Sequence, residues 1–332
     1  MSIGCSQVNK NTDEDPEKYD PKVAGYLEKI DLGLDEIVSS DAKAEIISKG
    51  YQWSEGPLWI AKHQMLLFSD VLGNTVYKWT EKDSTEVYLK PSGYTEERER
   101  GGEMGSNGLL LDQGGNLVLC QHGNRQMARM KSSLFAPKSD FETIVKTYQD
   151  QKFNSPNDAV FNTDGDLFFT DPPYGLENQM NDTLKEIPFQ GVYKFSTEGK
   201  ISLITDKLTR PNGIGLFPDE KTLLVANSDS NLPNWYKMEI LSDSSYSEPE
   251  IFFSLQGYDK TKLKGLPDGL KVDSKGNVYA TGPGGLYFLN SDGDVLGIYH
   301  LDMPVSNCAL SEDEKTIFLT NNNQILRLRL RS

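Results

Sequence analysis

The chain has 332 residues, of which 37 % are hydrophobic and 10 % aromatic, with 34 basic against 49 acidic side chains and a formal charge of −15. That balance is globular and too aromatic for a disordered chain. The acidic balance and the absence of any Lys/Arg block argue against nucleic acid and an anionic membrane surface as partners, since both need clustered cations. Three cysteines with no Cys-x-x-Cys spacing offer neither a zinc clip nor a disulfide framework, and no apolar run reaches the roughly 18 residues of a membrane span.

In chain order, Gly4-Cys5 followed by the acidic stretch Asp13 to Asp20 resembles the junction of a bacterial lipoprotein, with no apolar region ahead of it. The expectation is a periplasmic or outer-surface protein tethered through a lipidated Cys5. The competing reading is a cytoplasmic protein whose N-terminal cysteine is incidental. Residues 1–40 are assigned to this tether, with a short helix expected between Pro21 and Ile37, and residues 41–332 to the main domain.

From Gly50 onward the sequence repeats. Glu55-Gly56-Pro57, Ser106-Asn107-Gly108, Pro156-Asn157-Asp158, Pro211-Asn212-Gly213, Pro267-Asp268-Gly269 and Ser306-Asn307-Cys308 each lead into a strand, an Asp/Gly-rich turn and further strands. The anchors Glu55, Asn107, Asn157, Asn212, Asp268 and Asn307 are 52, 50, 55, 56 and 39 residues apart. Four strands per unit at that spacing predict an all-β, six-bladed propeller with four-stranded blades. The short last interval predicts ring closure by an N-terminal strand near Ala44-Glu45-Ile46-Ile47. Asp164-Gly165 and Asp292-Gly293 read as hairpin turns rather than calcium loops.

Equivalent anchors should point toward one end of the central channel. All six carry side-chain oxygen and none is His or Cys, a donor set for a hard cation such as Ca²⁺ rather than zinc or copper. Taken singly, Pro-Asn-Gly and Pro-Asp-Gly are common turn tripeptides; six in register are not accounted for by turn chemistry alone.

The motifs Ser54-Glu55-Gly56-Pro57, Ser155-Pro156-Asn157-Asp158, Thr170-Asp171-Pro172-Pro173-Tyr174-Gly175, Arg210-Pro211-Asn212-Gly213 and Pro267-Asp268-Gly269 resemble the gluconolactonase / senescence marker protein (regucalcin) / luciferin-regenerating enzyme family. Cys120-Gln121-His122-Gly123-Asn124-Arg125 resembles its bacterial gluconolactonase-like branch. The resemblance implies one divalent cation in a central channel, most simply Ca²⁺ with Mg²⁺, Mn²⁺ or Zn²⁺ as other occupants, held by Glu55, Asn157, Asn212 and Asp268. It also implies hydrolysis of a small-molecule sugar lactone with Asp268 as acid/base, and no protein partner. A carboxylate on a cation is a weaker base, so Asp268 carries a tension between its two roles. The animal branch has a substrate-contacting Arg two residues before the Asn157 position, where this chain has Ser155. His122, a second catalytic candidate, and Arg125 are the local replacements, with Asn107 and Tyr174 as further substrate contacts. Asn307 is expected to line the pocket or structure a turn, residues 176–190 to shape the pocket rim, and Glu96 to Arg100 to form a solvated loop.

No Gly-x-Ser-x-Gly, His-Glu-x-x-His, Walker or dinucleotide fingerprint occurs. Two alternatives stay open: an organophosphate or aryl-ester hydrolase on the same site, and a non-catalytic calcium-binding propeller.

Overall fold

A computed structural model describes residues 22–98 and 100–331; Cys5 and the acidic stretch after it lie outside the described residues. Six antiparallel sheets follow one another around a ring, each running outward from a strand that contains an anchor or starts just after it. Blade 1 comprises Ser54–Ile60, Met65–Asp70, Thr75–Thr80 and Ser84–Leu89, and blade 2 comprises Ser106–Leu111, Leu117–Gln121, Gln126–Met130 and Phe141–Val145. Blades 3, 4 and 5 open on Ala159–Phe161, Pro211–Leu216 and Leu270–Val272, and blade 6 on Asn307–Leu310.

The second strand of each blade is buried on both faces, which is why Leu66-Leu67-Phe68 and Leu167-Phe168-Phe169 are continuously apolar instead of alternating. Successive side chains then serve opposite neighbours. Leu67 packs into the core shared with Leu109 and Leu119 of blade 2. Leu66 and Phe68 pack into the core shared with Phe318 and Ile325 of blade 6. The same division separates Phe168, which faces blade 4, from Phe169, which faces blade 2. Six interblade cores result, and the one between blades 6 and 1 closes the ring.

Strand pairing between the two ends of the chain also closes the ring. Ala44–Lys49 pairs antiparallel with Gln324–Arg329, so blade 6 takes three strands from the C-terminal end of the chain and its fourth from the N-terminal end. The exchange shortens the stretch after Asn307, whereas the interval of 39 residues before that anchor holds all four strands of blade 5, from Leu270–Val272 to Val295–His300, joined by short turns. The Asp164-Gly165 and Asp292-Gly293 turns are hairpin connections, each closed by a glycine N–H bonded to the carbonyl three residues back, Asn162 and Asn290 respectively.

The helix expected between Pro21 and Ile37 is not formed. Val23–Ala24 instead pairs with Ala44–Lys49, and Tyr26–Lys29 pairs with Val295–His300, adding a fifth strand to blades 6 and 5. The outer edges of those sheets offer unpaired backbone groups, which a short extended segment satisfies better than an isolated helix of this length satisfies its own. Gly25 makes the step between the two blades at φ +70°, where a Cβ would fall 2.0 Å from the His300 carbonyl oxygen. Only Leu32–Glu36 turns helically, as a 3₁₀ segment capped by Asp31, and it drives Leu34 into the core between blades 5 and 6.

Candidate active site

The anchors are not turn residues. Glu55, Asn107 and Asn212 sit inside the first strands of their blades, at register shifts between Glu55 and Leu58, Ser106 and Leu109, and Pro211 and Ile214. A bulge at that point turns the side chain out of the ladder and into the channel. The following glycine answers a close approach: a Cβ on Gly56 would lie 2.0 Å from the Asn107 carbonyl oxygen, and one on Gly213 2.2 Å from that of Asp268. Glu55 and Asn212 thus need a bare backbone on the residue that follows them.

Buried hydroxyls on the second strands fix the same region. Ser69 Oγ donates to the Asn107 carbonyl at 2.8 Å, and Thr170 Oγ1 to the Asn212 carbonyl at 2.7 Å. The residue after each hydroxyl then pins the chain entering an anchor. Asp171 accepts the backbone N–H groups of Asn154 and Ser155 at 2.8 and 2.7 Å, and Asp70 accepts those of Gln52 and Trp53 at 3.2 and 3.1 Å. Ser155 is fully buried, donates to the Pro172 carbonyl at 2.5 Å and accepts from the Gly175 N–H at 2.9 Å. It locks the approach to Asn157 onto the Tyr174 loop.

Glu55, Asn107, Asn157, Asn212 and Asp268 converge on one cavity of about 220 Å³. Tyr174, Ser228 and Glu103 complete its polar wall, and Trp53, Leu266, Pro304 and Val305 its apolar one. Asn212 Nδ2 donates to Ser228 Oγ at 3.0 Å, which turns its amide nitrogen toward the wall. The Tyr174 ring lies under the Arg210 guanidinium at 5.6 Å. Burial pushes the tyrosine hydroxyl well above its ordinary range, and the Asp268 carboxylate adds to this.

The electrostatics of the two carboxylates dominate. Burial, reinforced by Glu103 and Asp158, raises Glu55 to about 8. Burial again, then Glu55, Glu103 and Asp158, raises Asp268 well above the carboxylate range. Neither has a cationic side chain beside it, and among the described residues no Lys, Arg or His lines this cavity. The side-chain oxygens Oδ1 of Asn107 and Asp268 are buried with no hydrogen-bond partner. Two buried carboxylates without a counter-charge, amide oxygens around them and orphaned acceptors fit a hard divalent cation. A cluster of three or more His, Cys, Asp or Glu ligands is absent among the described residues, so amide oxygens would have to complete any such site.

Three sequence-derived candidates lie elsewhere. Arg125 is not a cavity residue: it donates to the backbone carbonyls of Phe153 at 2.6 Å, Leu184 at 2.8 Å and Lys152 at 3.3 Å. Its positive φ of 58° turns it toward the 152–186 loops, away from the channel. His122 is fully buried and stands behind the cavity wall. Asn307 faces a second cavity of about 460 Å³ on the other side of the ring, where Nδ2 donates to Asp158 Oδ2 at 3.3 Å and Lys271 stands 3.9 Å from that carboxylate.

No residue of 176–190 lines the cavity; the segment supplies the Leu184 carbonyl to Arg125 and Gln179 Oε1 to Arg210. In the Glu96 to Arg100 run, residues 96–98 are exposed as expected, while Arg100 bridges the carbonyls of Gly123 and Gly175. Glu103, just beyond it, is the cavity residue the repeats do not reveal, because it has no counterpart in the other blades. Its only sequence signal is position, shortly before an anchor.

The chain forms a closed ring of six sheets of four or five strands with five of its oxygen-bearing anchors in one cavity, and the pattern of the SMP-30/Gluconolactonase/LRE-like region matches its residues 53–323. The chain belongs to that family. It is 36 % identical to a gluconolactonase of Zymomonas mobilis, an alignment covering 99 % of this chain and 91 % of the relative. A solved gluconolactonase from Xanthomonas campestris is 27 % identical with a TM-score of 0.79, covering 94 % of this chain and 98 % of that one. A calcium-binding regucalcin from Agrobacterium tumefaciens, 13 % identical over 86 % of this chain and 94 % of its own, shares the fold at a TM-score of 0.65.

Proposed function

We propose that this chain opens sugar lactones of the gluconolactone type in the cavity between Glu55 and Asp268, with a divalent cation, calcium foremost, held by Glu55, Asn157, Asn212 and Asp268. The observation that carries the reading is the pair of buried carboxylates with no cationic partner, ringed by amide oxygens. The full-length relationship to a gluconolactonase supports the ester chemistry. A cation bound there would polarise the lactone carbonyl and favour an ionised water at neutral pH.

The chain's own residues do the rest. Asp268 accepts a proton from the attacking water and returns it to the ring oxygen as the acyl C–O bond breaks, leaving a hydroxy acid that ionises in solvent. Asn107, whose side-chain Oδ1 is unpartnered, and Tyr174 offer hydrogen bonds to the substrate. Trp53, Leu266, Pro304 and Val305 dry one wall, which strengthens every polar contact inside. A cavity of about 220 Å³ suits a monosaccharide and is smaller than typical drug-sized sites.

The test is acid release from D-glucono-δ-lactone by wild type and Asp268→Asn, each stripped of metal and then reloaded. Stripping should abolish turnover, reloading should restore it, and Asp268→Asn should lose about 10³-fold or more. A metal-loaded wild type without lactone turnover, or an Asp268→Asn variant equal to it, overturns the reading. A phosphotriester in the same panel distinguishes the alternative hydrolase.

A further inference from the structure

Glu103 lines the cavity, yet the hydrolysis described above gives it no task. Its side chain is 27 % exposed and is backed by His122, whose Nδ1 lies 3.1 Å from Glu103 Oε2, near although off the axis of a full hydrogen bond. On the other side of the ring, His122 Nε2 is 3.4 Å from Asn157 Nδ2. An amide NH₂ has only donors, so Nε2 accepts and Nδ1 carries the ring proton toward Glu103. The carboxylate is therefore backed by an imidazole N–H at close range, which orients it. Arg100, the nearest guanidinium in sequence, is committed to the carbonyls of Gly123 and Gly175.

A divalent cation would balance Glu55 and Asp268, leaving Glu103 as uncompensated negative charge on the cavity wall. An ionised carboxylate is an acceptor only, so what it recognises is a hydroxyl or another donor, and what it refuses is an anion.

We infer that Glu103, positioned by His122, is a specificity residue: it accepts hydrogen bonds from the hydroxyls of a neutral, polyhydroxylated lactone and repels lactones bearing an anionic group such as phosphate. The inference rests on the lactone-hydrolase reading of this cavity. The same charge acts on the product, because hydrolysis converts a neutral ester into a carboxylate that Glu103 then disfavours.

The experiment compares wild type, Glu103→Ala and Glu103→Gln on D-glucono-δ-lactone, on δ-valerolactone (the same ring without hydroxyls) and on 6-phospho-D-glucono-δ-lactone. Glu103→Ala should raise KM for the hydroxylated lactone at least tenfold more than for δ-valerolactone, the scale of a lost charge-assisted hydrogen bond. Both variants should shift kcat/KM toward the phosphorylated lactone about tenfold. His122→Leu should reproduce the KM rise, and His122→Asn, which can present an amide N–H near the Nδ1 position, should rescue most of it, with thermal melts checking that each variant folds. A loss shared equally by both neutral lactones, or an unchanged selectivity ratio, overturns the inference. If wild type opens no lactone, the functional reading fails separately, and calorimetry with D-glucitol decides this one. Binding weakened tenfold in Glu103→Ala upholds it; equal binding, or none to either protein, overturns it.

Discussion

Glu55 offers the sharpest test of the site's physics, because its burial makes the metal-free protein sensitive to pH in an unusual direction. The side chain is 3 % exposed and its carboxyl is raised from 4.5 to about 8. A folded-state value above the unfolded one means the folded chain holds a proton that the unfolded chain releases. The stability this contributes is present below about pH 4.5 and is lost as pH rises through about 8. Each unit is worth about 1.4 kcal/mol, so the whole window amounts to about 5 kcal/mol. For a chain this long, 1 kcal/mol moves Tm by roughly 2 °C, giving a differential of roughly 10 °C.

The perturbation is Glu55→Gln, which keeps the shape and an oxygen to accept from the Gly56 N–H but cannot ionise. Melts in chelator from pH 5 to pH 8 should show the variant gaining on wild type steadily with pH. Excess Ca²⁺ at pH 8 should close about half of the gap, since a ligand at a hundred times its Kd stabilises by about 2.7 kcal/mol and only wild type has the full ligand set. Parallel melting curves for the two proteins across that range in chelator would refute the reasoning, as would equal stabilisation of both by the cation.

Arg125→Met should leave KM for the lactone within about twofold while lowering stability by about 2–4 kcal/mol, read by denaturant unfolding, because three carbonyls lose their donor. A large KM effect with unchanged stability would return Arg125 to the substrate site. Phe318→Ala removes a side chain stacked on Trp59 at a centroid distance of 4.9 Å from the core that closes blade 6 on blade 1. It should cost about 3–5 kcal/mol in the same assay, and a loss below 1 kcal/mol would mean that ring closure does not depend on this core.

Much of this molecule was legible in its residues because a propeller writes its architecture as a repeat. The spacing of anchors counted the blades, and the closing strand expected near Ala44-Glu45-Ile46-Ile47 is Ala44–Lys49, although the short interval taken as its sign belongs to blade 5. In-register anchors also announced that Glu55, Asn107, Asn157, Asn212 and Asp268 would share a cavity. Periodicity carries this information because radial packing makes equivalent positions equivalent in space.

What broke the repeat was decided by tertiary structure. Asn307 obeys the anchor pattern yet faces the opposite cavity, since Asp158 and not the channel cluster takes its amide. Residues 22–29 became edge strands because two sheets left backbone groups open, a circumstance no local pattern records. Arg125 and His122 stand three residues apart at one hairpin end, but one is turned out to loop carbonyls and the other in behind Asn157. Glu103 enters the site from a loop without any counterpart. The charge of −15 likewise says little by itself: only burial gives Glu55 and Asp268 their chemistry. Sequence determines which side chains recur; the dielectric around each, and the neighbour it meets, exist only once the ring has closed.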